Sequence, residues 1–407
     1  RIDKLFDRVK KKHSKIFDKS AELKLQARTV AYIVGELQKY SLLKTNIDVK
    51  GKAYEEIVGA NLRGDRGEFF TPRNVMEMTV KMLNPKIGES VLDSSCGTGG
   101  FIVSAMNHVI EDIEAKAHLR FQTTHKNQWT AHQHRQVSDR IQETAKNYFF
   151  GFDINPDLVK ATKMNMVMNN DGSGNILRCN SLLPPHEWSE KFKEALAIPF
   201  GLEAEAIKTY RNIGLFDVIV TNPPFGSKIP IKDTTILNQY EIARNRSSLP
   251  PEQLFVERCV QLLKPGGRLG VILPDSILSA PGLSHIRQWL LKNTQIIASI
   301  DLHADTFQPR NGTQTTVLVL QKKQADEIDD MIPNYDIFMA VLDKIGHDKR
   351  GNTIFERDNE GNILYKKVEK KDAFGNIVEE TIPAVADQTL AVPELFAKWK
   401  KEEGIKW

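Results

Sequence analysis

Val218-Ile219-Val220-Thr221-Asn222-Pro223-Pro224-Phe225 constrains this chain more than any other stretch. The unbroken β-branched run carries no polar alternation, so its strand is buried on both faces, as a central parallel strand under two layers of helices is. The strand then meets two prolines, which lack the N–H that a ladder needs, and it must stop there. A Pro-rich turn that merely ends a strand is one account of these residues. A reaction centre is the other. Asn222 offers a carboxamide oxygen as acceptor, Pro223 and Pro224 leave stiff carbonyls, and Phe225 gives a flat apolar face for a planar substrate. If Asn222 and the Pro223 carbonyl each accept one N–H, an amine conjugated to a ring, such as N6 of adenine, is drawn toward tetrahedral geometry. Its lone pair is then free to attack.

Other strand-and-turn units repeat the pattern. Val91-Leu92-Asp93 runs into Ser94-Ser95-Cys96-Gly97-Thr98-Gly99-Gly100-Phe101 and a helical Ile102–Met106. A strand, a glycine turn and a helix open a nucleotide-binding α/β fold. The glycine spacing fits neither the dinucleotide fingerprint nor the phosphate loop, and it suits a ligand with an amino acid moiety. Tyr148–Asp153 is the next strand, and Asp153 at its tip is placed to accept both ribose hydroxyls of an adenosine. Ile176–Leu182 comes third, with Asn180 toward its end able to meet an adenine edge. Further strands are expected at Arg268–Leu273, Ile296–Leu302 and Thr315–Gln321, with Phe307–Gly312 returning to the same end of the sheet.

The remaining segments carry weaker signals. Residues 1–62 read as a helical domain, with helices over Leu23–Tyr40 and Ala53–Asn61, for contact with a partner or DNA; residues 63–330 read as the catalytic domain. The stretch 111–147 is a largely helical surface insertion, and its histidines match no metal-ligand spacing. Gly226–Asn245 is a polar loop that could close over substrate, track a phosphodiester or simply be solvated. Residues 331–407 form a tail with small hairpins at Gly351-Asn352, Gly361-Asn362 and Gly375-Asn376 and a terminal helix near Leu395–Lys401. No chemistry is assigned to it.

Composition sets bounds. A chain of 407 residues buries a large core, and its net charge of +4 permits nucleic-acid binding without requiring it. No apolar run approaches the roughly 18 residues a membrane span needs, and the basic N-terminus leads into no signal segment. Cys96, Cys179 and Cys259 fit a reducing compartment. The expected location is cytoplasmic, and Arg1 in place of Met fits a fragment.

With these residues in view the chain resembles the adenine-N6 DNA methyltransferases, and most closely the modification subunits of type I restriction-modification systems. The likeness rests on the joint order of Gly67-Glu68-Phe69-Phe70-Thr71-Pro72-Arg73, Asp93 to Phe101, Phe152-Asp153, Asn180-Ser181-Leu182, Asn222 to Phe225 and Gly267–Pro274. It implies a Rossmann-like methyltransferase fold with a mostly parallel seven-stranded sheet containing one antiparallel strand. It implies S-adenosylmethionine as cofactor. Glu68, Phe69, Phe70, Thr71, Pro72 and Arg73 would wrap its methionine end, Asp93, Gly97, Thr98, Gly99 and Gly100 would support it, and Asp153 would take the ribose. Asn222 to Phe225 would hold a flipped adenine, with no metal in the reaction. Asn180 stands where the family usually has an acid, so the cofactor's adenine is met differently. The implied partners are double-stranded DNA, a specificity subunit and a restriction (nuclease) subunit. A protein-glutamine methyltransferase and a catalytically silent DNA-binding subunit are the alternatives.

Overall fold

The computed structural model describes residues 2–14, 16–17, 19–38, 70–169, 173–208, 213–226, 230–309, 311–328, 334–371 and 377–407. The expected helix at 53–61, the expected turn at Gly375-Asn376 and the candidate residues Glu68 and Phe69 lie outside them. Eight strands form the main sheet: β1 (Val91–Asp93), β2 (Phe149–Asp153), β3 (Ile176–Arg178), β4 (Phe216–Thr221), β5 (Leu263–Pro274), β6 (Thr294–Asp301), β7 (Thr315–Lys322) and β8 (Phe338–Val341). Their order is β3-β2-β1-β4-β5-β7-β6-β8. All neighbours are parallel except at β7, which runs antiparallel to both β5 and β6.

The expected sheet of seven strands is therefore one strand short. β8 comes from residues assigned to the tail and pairs in parallel with β6 at the sheet edge. Only four residues long and alternating half-buried with exposed, it lacks the apolar run by which the inner strands declare themselves.

Alternation along β4 feeds two cores. Val218 and Val220 face one hydrophobic cluster, with helices Arg73–Leu83, Gly100–Phe121, Ala131–Tyr148 and Pro156–Met168 on that side, while Ile219 faces a second cluster under Glu190–Ala197, Pro251–Leu262 and Ser284–Asn293. The helix Arg73–Leu83 lies close against β5 because Gly270 leaves room: a Cβ there would stand 2.8 Å from both Leu83 Cδ1 and Thr79 Cγ2. At the sheet's base the buried Arg268 donates to the Leu83 and Asn84 carbonyls and to both oxygens of Glu89, closing the C-terminus of the same helix.

The polar stretch 111–147 is the continuation of one long helix, Gly100–Phe121, packed against the next, Ala131–Tyr148. Two of its histidines pack on an indole: His118 and His134 flank Trp129 at ring separations of 4.8 and 5.3 Å. The N-terminal helices are Ile2–Lys12 and Ala27–Leu37, the second shorter than expected. In the tail, Asp348 and Asp358 each accept two backbone N–H groups, two and four residues on, building the same turn twice, around Gly351 and Gly361 at φ +85° and +88°. The terminal helix is Val392–Glu402. Among the described residues no helix is long and apolar enough to cross a membrane.

Gly270→Val should lower the unfolding free energy by about 2–3 kcal/mol, because neither the helix nor the strand can retreat without opening the core. Urea denaturation measures this. A midpoint unchanged from the parent would show that the helix does not depend on this gap.

Candidate active site at the switch point of the sheet

β1 pairs with β2 on one side and β4 on the other, so the strand order reverses there and the ends of β1 and β4 open one crevice. A cavity of about 380 Å³ occupies it, within the range of small-molecule sites. Its wall includes Phe70, Thr71, Pro72 and Arg73 before the first core helix, Asp93, Gly97, Thr98 and Gly100 after β1, and Asn222 after β4.

The two turns are cross-linked by hydroxyls. Thr221 Oγ1 donates to Asp93 Oδ1 at 2.7 Å, Ser95 N–H donates to the same oxygen at 3.1 Å, and the Ser95 and Thr221 hydroxyls lie 2.7 Å apart. Ser95 Oγ also donates to the Asn222 carbonyl at 3.2 Å. Burial pushes Asp93 up to about 7, with the nearby charge of Asp153 adding to it, against the hydrogen bonds from Thr221 and Ser95 that favour the carboxylate.

Asn222 is held at one end only. Its Nδ2 donates to Thr71 Oγ1 at 3.1 Å, tying the turn after β4 to the Thr-Pro-Arg block, whereas its Oδ1 is buried with no partner among the described residues. Pro223 is buried, Pro224 is half-buried, and Phe225 packs partly against the first core.

The glycines divide their work. A Cβ on Gly99, at φ +85°, would meet Thr162 Cγ2 at 2.7 Å, so glycine is required there, whereas one on Gly100 would meet Met76 Sδ at 2.6 Å, the flexible end of a side chain packed on the turn. Gly97, at φ +53°, has nothing within 4 Å of its Cβ position and is the open point of the turn. Asp153 sits at the tip of β2, but its Oδ2 accepts the Gly97 N–H at 2.9 Å and its Oδ1 accepts the Asn155 N–H at 2.8 Å. It acts as a clasp on the glycine turn. Asn180, beyond β3, spends its Oδ1 on the Leu182 N–H and its carbonyl on the Trp188 indole. Asp153, Asn180, Gly99, Pro223, Pro224 and Phe225 are not part of the cavity wall.

The family model for N-6 DNA methylases matches residues 45–403. The chain belongs to the N-6 DNA methylase family. Among its relatives, the type I restriction enzyme EcoEI methylase subunit of Escherichia coli is 28% identical over 277 residues, covering 67% of this chain and 46% of that protein. The StySPI methylase subunit of Salmonella potsdam is 25% identical over 276 residues, covering 67% and 44%. The chain spans less than half the length of either relative. A solved structure described as the basis of complex assembly and conformational transition of the type I R-M system superposes with a TM-score of 0.51 at 23% identity, covering 78% of this chain and 56% of that one. It shows the same fold.

Some of the site carries no mark in the sequence. Thr162 Oγ1 donates to the Gly97 carbonyl at 2.6 Å and Asn165 Nδ2 to the Thr98 carbonyl at 3.0 Å, so one face of the helix Pro156–Met168 fixes the glycine turn. Three residues apart in a helix, they share a face, yet only the fold reveals what that face meets. His347 and Gly351 of the tail also line the cavity, beside Phe307, Gln308 and Pro309 of the β6–β7 loop. Asn74 Nδ2 bridges the Ile345 carbonyl at 3.0 Å and Asp387 Oδ2 at 2.9 Å, binding the tail to the Thr71-Pro72-Arg73 block.

Between its ordinary value of 3.8 and about 7, Asp93 keeps a proton in the folded chain that the unfolded chain has released. Its contribution therefore falls as pH rises through that window, by ~1.4 kcal/mol per pH unit at most. Asp93→Asn retains an acceptor for Thr221 and removes the titration. Its stability relative to the parent, from denaturant melts between about pH 4.5 and 7.5, should grow with pH; a constant difference would contradict the raised value.

Proposed function

We propose that this chain transfers a methyl group from S-adenosylmethionine to N6 of a flipped adenine in double-stranded DNA, as the modification subunit of a type I restriction-modification complex. The orphaned Asn222 Oδ1 carries this reading. A buried acceptor without a partner costs about 1–3 kcal/mol, and it is kept where a ligand completes it. Thr71 receives the amide nitrogen, and the oxygen is left for a ligand. The free oxygen then receives one N–H of the target amine, the Pro223 carbonyl the other, and Phe225 the ring face.

The cavity residues fit the cofactor. Open space over Gly97 lets backbone approach it closely, and Phe70, Thr71, Pro72 and Arg73, with Glu68 and Phe69 before them, would hold its amino acid end. Asp93 and Thr98 support that turn, and Gly99 and Gly100 keep it tight. Asp153 would offer a carboxylate oxygen to the ribose. Asn180, its oxygen already committed, would present amide N–H groups to the adenine where a carboxylate would accept. S-adenosylmethionine, when bound, supplies an electrophilic methyl group.

We assign residues 1–62 and the tail from 331 to contacts with a separate specificity subunit and DNA, and a nuclease subunit to the wider assembly; the place of action is the cytoplasm. The family match favours DNA over a protein glutamine as acceptor, and it does not favour a silent subunit.

Asn222→Ala should bind S-adenosylmethionine within about threefold of the parent while methyl transfer drops by at least ~100-fold, the scale of losing one preorganised polar contact. Labelled methyl transfer by the chain co-expressed with its specificity subunit, followed by nucleoside analysis, is the measurement. Label in N6-methyladenine that survives the substitution would sink the role of Asn222.

A further inference from the structure

The helix Pro251–Leu262 is buried at every residue but Gln261, yet it carries Glu252, Glu257 and Arg258, each less than a tenth exposed. Buried ionisable groups are commonly replaced by apolar ones without loss of stability, so three in one helix call for a task. All three bond residues of the segment that follows Phe225. Glu252 Oε2 accepts the Gly226 N–H at 2.9 Å. Glu257 accepts the N–H groups of Glu241 and Ile242 at 3.0 and 2.9 Å. Arg258 donates to Gln239 Oε1 at 2.7 Å and Tyr240 Oη at 3.0 Å, and also to the Leu183 carbonyl at 3.1 Å. Within the polar stretch after Phe225, the part 236–243 is accordingly no solvated loop: Ile236, Leu237, Tyr240, Ile242 and Ala243 are all buried in the second core.

One of these contacts bears on chemistry. Pro223 and Pro224 have no N–H, so between Asn222 and the loop the backbone has few donors with which to anchor itself. Gly226 N–H is the first beyond the aromatic ring, and a buried carboxylate receives it. At the other end Ser95 holds the Asn222 carbonyl and Thr71 its side chain. The turn is thus fixed on both sides. An acid in a first helical turn often answers the helix dipole from solvent, but Glu252 is 6% exposed and points its oxygen at another segment.

Building on the function proposed above, we propose that Glu252 is a positioning residue for the methyl-transfer step: by holding Gly226 N–H it sets the Pro223 carbonyl and the Phe225 ring against the target base. Its contribution is geometric, and misplacement of a reacting group by an ångström lowers rate by about two orders of magnitude. Glu252→Gln keeps an acceptor oxygen for Gly226; Glu252→Ala does not.

Two readouts on the full chain test this. Hydrogen exchange without DNA follows the amides of residues 222–226, of which only Asn222, Phe225 and Gly226 can exchange, and it does not depend on any reaction. Labelled methyl transfer with the co-expressed specificity subunit gives kcat and the KM for S-adenosylmethionine. Glu252→Ala should speed exchange there and lower kcat by about tenfold or more, with the KM for S-adenosylmethionine within about threefold; Glu252→Gln should restore most of both. Parent-like exchange and kcat in Glu252→Ala overturn the proposal, as does a Glu252→Gln as slow as Glu252→Ala, or a KM that rises in step with the loss of kcat. A parent chain that yields no N6-methyladenine while Glu252→Ala still loosens the turn would sink the functional reading and leave the anchor standing.

Discussion

The bond from Thr221 to Asp93 is the interaction on which the site depends. β1 is three residues long, too short for its ladder alone to orient the glycine turn beyond it. Its terminal carboxyl is therefore tied to the last residue of the neighbouring strand, and Ser95 joins the same cluster from the glycine turn. Two turns on separate strands become one body. Because the cluster is dry, its hydrogen bonds are strong, and the same dryness drives Asp93 toward neutrality. Pushed up to about 7, the acid is in part protonated near neutral pH, which eases the burial of a carboxyl that is only 2% exposed in the cavity wall.

Most buried polar groups of the described residues are partnered, and among the exceptions Asn222 is the one that lines the cavity. Asp153 spends both oxygens on backbone N–H groups, Thr162 and Asn165 satisfy carbonyls of the glycine turn, and Arg268 serves two helix-end carbonyls and Glu89. Each of them makes an irregular backbone tolerable inside the protein. Asn222 has the same means of satisfying itself, and it uses only its nitrogen. In the arrangement present Thr71 takes that nitrogen, and the oxygen is left without a partner among the described residues.

The parts of the fold that are legible in the sequence are those whose information is local. The first seven strands of the sheet each appear as an apolar run cut short by a polar or glycine-rich turn, and the candidate residues Thr71, Asp93, Gly97 and Asn222 are found at strand or helix ends where the fold brings them together. β8 is not legible, because an edge strand needs only one apolar face and four residues show little of it. The ribose role read for Asp153 from its place at a strand tip is complicated by two backbone donors that no spacing announces. The glycines look alike in sequence, yet Thr162 and Met76, far along the chain, pack on two of them while one stays open. Support from Thr162, Asn165 and Glu252 is invisible for the same reason: each looks like an ordinary helix residue until its partner 26 to 67 positions away is known.

The tail shows how far such dependence reaches. Ile345 and Asp387 are held by Asn74 across 271 and 313 residues of chain, and the segment between them places His347 and Gly351 in the cavity wall. Asn74 directly succeeds Arg73, so the block that closes one side of the cavity and the segment that closes another share one side chain as their joint. Closing so long a loop costs entropy that rises only slowly with its length, and β8 together with the helix Val392–Glu402, packed on the helix Arg73–Leu83, offsets it with buried apolar surface. A wall assembled from both ends of the chain forms only when the whole sheet has formed. The cavity is therefore a property of the completed fold and not of the strand-turn units that announce it.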